Sequence, residues 1–193
     1  VPVTTREFTD TRSLTLTIPP ASPHELTSPI TGRITALQAA PETPITSGSI
    51  PCEIDGLPLL ALALSTPLYQ DVVDGATGPD IAALNAELAR LGYAAPAESQ
   101  RVTAATRAAL ASAMGVSDGA GGVPSRIEAS RVLWIPAPTV TPSSVPVHLG
   151  DSVDTQTVLL TLEDSRDALR LSVPPDAYPE DHVITLGDTD YPV

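Results

Sequence analysis

A chain of 193 residues with 42% hydrophobic content is long enough to bury a core in one ordinary domain or in two small ones. Its formal charge of -13, from 23 acidic and 10 basic residues, opposes nucleic-acid backbones and anionic lipid surfaces. Every basic residue is an arginine, which excludes a Walker-type phosphate lysine, a Schiff-base lysine, a Ser-Lys dyad and any lysine carrying biotin or lipoate.

From 12 to 62 the sequence runs in short, alternating, β-branched stretches bounded by Pro, Gly, Ser and Thr, a pattern that predicts strands and turns. The longest apolar stretch, 57–64, is interrupted by Pro58 and falls far short of the roughly 20 residues that span a bilayer. Between Pro79 and Pro124 the only proline is Pro96, and alanine dominates, so helices are expected there. The first covers 79–91, where Ile81, Leu84, Leu88 and Leu91 share a face, Pro79 suits the first turn, Asp80 lies near the positive end and Gly92 is the C-cap. The second covers 104–114, with Thr103 as cap and Gly115 as stop, and is expected to bury Ala108, Leu110, Ala111 and Met114 in some combination. A third short helix is expected from Ser125, which has capping-box spacing to Glu128, and would end before the strand-like 132–135. Strand patterning then resumes to about Val173. The expected fold class is α+β, mainly β: a β frame interrupted by a small three-helix bundle.

The two β flanks repeat. Laid over 153–163, segment 45–55 places Ile45, Ile50, Cys52 and Ile54 on Val153, Val158, Leu160 and Leu162, with Ser47 and Ser49 on Thr155 and Thr157. A second pairing joins 14–20 with 169–175, each an alternating strand that stops at a Pro-Pro pair.

Two such half-units facing each other across an insertion resemble the lipoyl (biotinyl-carrier) fold, a flattened barrel-sandwich of two similar halves. Here the first half is 28–37 with 45–54, and the second is 138–140 with 145–162. In carriers the modified lysine sits on the hairpin between the halves. In this chain that connection is the helical insert and no lysine exists, so a carrier role is excluded. A lipoyl-like domain split at that point is similar to the membrane fusion proteins, the periplasmic adaptor subunits of efflux and secretion pumps. The phrases SPITGRITAL…ITSGSIPCEIDG and VPVHLGDSVDTQTVLLTLED carry that resemblance.

The insert instead resembles a peptidoglycan-binding-like domain, most closely at Gly78, Asp80, Ile81, Leu84, Leu88, Leu91, Gly92 and Tyr93. It departs from that pattern in having Asn85 for the usual Gln, 98–102 in place of a Gly-x-aromatic-Gly turn, and Ala111-Ser112 for Phe-Gln. Actinobacterial envelope proteins in which such an insert splits a lipoyl-like adaptor are the family resembled, and 53–85 looks like their junction. The resemblance implies three parts: outer β strands at 1–24 plus 165–193, a lipoyl-like β domain at 25–65 plus 132–164, and the helical insert at 66–131. It also implies an extracytoplasmic protein of the cell envelope, anchored through a preceding N-terminal segment, contacting membrane transporter subunits, further copies of itself and peptidoglycan.

Histidines and acidic pairs do not cluster in the sequence. His24, His148 and His182 are far apart, and the acid pairs Asp71/Asp74, Glu180/Asp181 and Asp188/Asp190 lack a calcium-loop pattern, so no metal site is expected. No HExxH occurs and no cysteine-histidine pairing of recognisable spacing, so a non-enzyme without cofactors is expected. The single cysteine, Cys52, reads as a small buried hydrophobe. The glycan-binding candidates are Asn85, Tyr93 and Arg107, with Tyr93 also readable as a packing residue after the Gly92 cap. Trp134 is expected to seal the junction between helical and β parts.

Overall fold

The structure, a computed structural model, describes residues 24–162 and the backbone of two further strands near the C-terminus. In chain order the elements are β1 (His24–Thr27), β2 (Gly32–Leu37), β3 (Ile45–Thr46), β4 (Cys52–Ile54), β5 (Leu57–Leu62), β6 (Val72–Val73), α1 (Pro79–Arg90), α2 (Ala104–Met114), β7 (Arg126–Ile127), β8 (Val132–Trp134), β9 (Thr139–Val140), β10 (Pro142–Ser144), β11 (Ser152–Val153) and β12 (Val158–Leu162). The described residues are thus mainly β with two α-helices. They belong to a unit spanning Ser22–Asp164. A second unit comprises Val1–Ala21 and Ser165–Val193; in it β13 (Val183–Leu186) pairs antiparallel with β14 (Thr189–Pro192). The paired segments 14–20 and 169–175 lie outside the described residues.

Two curled sheets make the frame, one of five strands in the order β11-β2-β4-β5-β8 and one of three in the order β1-β12-β10. The sequence repeat has a structural counterpart at the level of register. Gly32 faces Val153 where β2 meets β11, and Val140 faces Ile45 where β9 meets β3. Ile34 faces Ile54 and Ala36 faces Glu53 across β2 and β4, with a bulge between; Pro142 faces Leu162 and Ser144 faces Thr161 across β10 and β12, again with a bulge. The same shift that carries Ile45 onto Val153 carries each of these pairs onto its counterpart. Each half also lends a strand to the other, β11 to β2 and β3 to β9. Because a one-residue slip would turn every inward side chain outward, this register is fixed by the buried set it serves. That set includes Ile34, Ile45, Cys52, Ile54, Val140, Val153, Leu160 and Leu162 in one core.

β4 and β5 are joined at Asp55 and Gly56, both at positive φ (54° and 74°), the backbone a two-residue type I′ hairpin requires. β5 is buried on both faces. Leu59 and Ala61 enter the β core, whereas Leu60 and Leu62 enter a second core formed with the helices. β8 divides in the same way, with Val132 and Trp134 on the helical side and Leu133 on the β side, followed there by Ile135. These two strands are parallel neighbours, Leu60 opposite Val132 and Leu62 opposite Trp134. Parallel neighbours need a long crossover, and 63–131 is that crossover.

The crossover holds the two helices. α1 starts on Pro79 and ends in a Schellman motif, in which the Tyr93 N–H donates to Leu88 O at 3.0 Å and the Gly92 N–H to Ala89 O at 3.0 Å. α2 begins at a Thr103/Thr106 capping box and stops at Gly115, which is left-handed at φ 67°. The combination it buries is Leu110, Ala111 and Met114, with Ala108 facing solvent.

The third expected helix is absent, so the helical part has two α-helices and not a three-helix bundle. Arg126 and Ile127 pair with Val73 and Val72 as β7 on β6, and Ala129–Arg131 forms only a 3-10 turn. The physical reason is tertiary. Ile127 is buried in the helical core, the Asp71 carboxylate accepts the Ala129 N–H at 3.0 Å, and Glu128 makes no capping bond. Capping-box spacing is present in the sequence, and strand pairing outcompetes it.

Candidate functional site

The polar chemistry of the described residues is concentrated in the helical crossover and along its contact with the frame. Asn85 is fully buried, and its Nδ2 donates to Ser99 O at 2.8 Å and Arg101 O at 3.4 Å. It ties α1 to the loop at 98–102, the stretch in which the sequence departs from the pattern it resembles. Tyr93 closes the Schellman motif and packs half-buried on the helical core. Arg107 grips Asp74 through Nε and Nη2, both at 2.7 Å, and donates from Nη1 to Pro124 O at 2.9 Å. Only 13% of the Arg107 side chain is exposed, and its guanidinium holds Asp74 below the ordinary carboxylate range. The three glycan-binding candidates are therefore on three different contacts. One pins a loop, one caps a helix and one clamps 74 to 124; they do not converge on a common opening.

Two further polar groupings were not singled out from the sequence. In the first, the Ser47 hydroxyl donates to Glu87 and accepts the Ala63 N–H at 3.0 Å, while Arg90 meets Glu87 through Nε and Nη2 at 2.7 Å each. Arg90 first, and then Ser47, hold the Glu87 carboxyl low against the opposing effect of burial. This joins α1 to the frame at the turn after β3. Gly48 follows there at φ 92°, with a Leu91 methyl close to where a Cβ would lie.

The second grouping surrounds Gly78, just before α1. Gln70 Nε2 donates to Asp80 Oδ1 at 2.9 Å and to Thr77 O at 3.2 Å, and the Tyr69 hydroxyl also approaches Gly78. A Cβ on Gly78 would collide with all three side chains, so glycine is what lets them converge. Asp80 is fully buried and its Oδ2 has no partner, whereas Tyr69 is 64% exposed. Desolvation of the phenol hydroxyl, with the Asp80 carboxylate beside it, pushes the Tyr69 phenol above its ordinary value. The available sequence signal was Asp80 beside Gly78, which reads equally well as a favourable first-turn charge.

Cys52 is buried, and desolvation followed by the Glu53 charge pushes its thiol up to about 11, which suits a packing residue and not a nucleophile. Trp134 packs on the helical core, donates from Nε1 to Leu64 O at 2.8 Å and meets the His24 ring edge-on at 6.4 Å. It stands at the junction expected of it. Asp71 and Asp74 pair with Arg126 and Arg107, and His148 lies 3.5 Å from Asp151. Glu180, Asp181, His182 and Asp188 are outside the described residues. Among the described residues, no group of three or more His, Cys, Asp or Glu side chains could hold a metal ion, and no helix is long and apolar enough to cross a membrane.

The site therefore belongs to a mainly β unit whose polar groups fasten a two-helix crossover to an interlocked frame. No family model, curated protein or solved structure matches the chain.

Proposed function

We propose that the protein is a non-catalytic, extracytoplasmic adaptor of the membrane fusion type, acting through protein contacts within a transport complex of the cell envelope. The observation that carries this reading is the repeated register, bulge included, by which two similar β halves exchange strands around one core. On this reading the two halves are those of a split lipoyl-like domain, with the helical crossover in place of a carrier's lysine hairpin. The polar groups already described are engaged in fastening elements together, which suits a part that works by shape. No cofactor enters the proposal, and cell-wall association is a secondary contact within it.

Crosslinking in native envelopes tests the proposal. Recovery of a transporter permease or ATPase subunit on the full chain is the expected result. Retention on purified peptidoglycan with no transporter subunit crosslinked would replace the reading with that of a wall-binding module on a β spacer.

A further inference from the structure

The dipeptide Asp-Gly occurs three times in the sequence, at 55–56, 74–75 and 118–119. Glycine lacks the side chain that elsewhere shields a backbone nitrogen, so the nitrogen after each aspartate can reach that aspartate's own carboxyl carbon when the chain between them is free to turn. The fold removes this freedom from the first two. Asp55 occupies the hairpin between β4 and β5 at positive φ, its Oδ1 accepts the Arg33 N–H at 2.9 Å, and the Gly56 N–H donates to Thr35 Oγ1 at 2.8 Å. Asp74 is gripped by Arg107 through Nε and Nη2, and the Gly75 N–H donates to Val102 O at 3.1 Å.

Neither restraint acts on Asp118 and Gly119. They lie in the exposed run 117–123, between the left-handed stop of α2 at Gly115 and Pro124, whose carbonyl Arg107 holds. The Gly119 N–H donates to no group among the described residues, and a Cβ placed there would meet nothing within 4 Å. The bonds of Asp118 stay inside the loop: its Oδ1 accepts the Ala120 N–H at 3.0 Å and the Gly122 N–H, and its own N–H donates to Gly122 O at 2.7 Å. The bond from Ala120 closes an Asx turn, which folds the carboxyl forward along the Gly119 peptide. We infer that Asp118–Gly119 is a site of spontaneous isoaspartate formation, a backbone modification that the folded chain confines to this loop. The Gly119 nitrogen attacks Asp118 Cγ. A C–N bond forms, a Cγ–O bond breaks, and the oxygen leaves as water with the amide proton and the carboxyl proton. Solvent water then adds to the cyclic imide, and opening at the main-chain carbonyl of Asp118 leaves the chain running through Cγ, one methylene longer, with the free carboxylate on Cα. The inference goes beyond the adaptor reading and does not depend on it.

Ageing the full chain near neutral pH and at body temperature for several weeks tests it. The aged chain is digested with trypsin, and isoaspartyl carboxylates are labelled with an isoaspartyl methyltransferase and a radioactive methyl donor. Because arginines supply every trypsin site, the peptide 108–126, which holds Asp118, separates from 34–90, which holds Asp55 and Asp74. Label concentrated in 108–126 is expected. Gly119 lies outside the left-handed region with open space at its Cβ position, so Gly119→Ala keeps the loop and should lose most of that label. In chain aged unfolded in guanidinium, 34–90 should take up at least as much label as 108–126. An unlabelled 108–126, equal or greater label in 34–90 of the folded chain, an unchanged preference for 108–126 in the unfolded chain, or undiminished label in Gly119→Ala would overturn the inference.

Discussion

Truncating Leu84 to alanine tests whether the helical crossover and the β frame are one cooperative body. Leu84 is fully buried in the helical core, far in sequence from the β core, and the two cores meet across β5 and β8. Removing a buried leucine side chain costs about 3 kcal/mol, from lost transfer energy and the cavity left behind. With a urea dependence of about 2 kcal/mol per molar, the midpoint should fall by about 1.5 M. The chain supplies one reporter for each core. Its single tryptophan, Trp134, packs on the helical side, and its single cysteine, Cys52, is sealed in the β side. Tryptophan emission and thiol labelling during urea unfolding should give coincident midpoints in the wild type and equal shifts in Leu84→Ala. Without denaturant, Cys52 labelling should accelerate about 150-fold, the same 3 kcal/mol read as a population of opened molecules. A shifted tryptophan transition beside an unchanged thiol transition would refute the shared-wall argument, because the helices would then unfold by themselves.

Three other outcomes follow from the polar contacts. Asn85→Gln, which restores the residue of the pattern the insert resembles, should destabilise by about 1–3 kcal/mol in urea melts, since no space exists for a methylene between α1 and the loop at Ser99. Glu87→Gln should cost about 1–2 kcal/mol at neutral pH. The folded Glu87 carboxyl is held below its ordinary 4.5, so its contribution is complete above that value and fades as pH falls through the folded one. The gap between wild type and Glu87→Gln should therefore narrow in melts taken below about pH 4. Arg107→Lys keeps the charge but loses the two-bond grip on Asp74 and the bond to Pro124, and a lower thermal midpoint in calorimetry is expected.

α1 and α2 were legible because their signals are local. A face at helical spacing, a proline at the start and a glycine at the stop each act within one or two turns, and the structure keeps all of them. The false third helix came from the same kind of signal. Ser125 and Glu128 have the spacing of a cap, but Ile127 has a strand partner in Val72, far away in sequence. Strand β5 was visible as an apolar run and nothing more. A stretch buried on both faces loses the alternation that would tell which side each residue serves, so its role as a wall between two cores could not be read from it. Of the polar residues, Asn85 and Arg107 were named from their places on the two helices, and their partners, Ser99 O and Asp74, come from loops whose approach no local pattern encodes. Asp80 was read only as a first-turn charge, because the convergence of Tyr69, Gln70 and Asp80 depends on the absent side chain of Gly78, and glycines give little warning of what converges on them.

The parallel pairing of β5 with β8 also governs how the unit would carry load. The crossover leaves the last residue of β5 and re-enters at the first residue of β8, so its two ends attach at opposite ends of neighbouring strands. A pull on the helices would slide these strands along each other and tension all their hydrogen bonds at once. A hairpin insertion would instead be peeled open one bond after another. The crossover is thus held by a strand pair that must shear and not peel for it to come away.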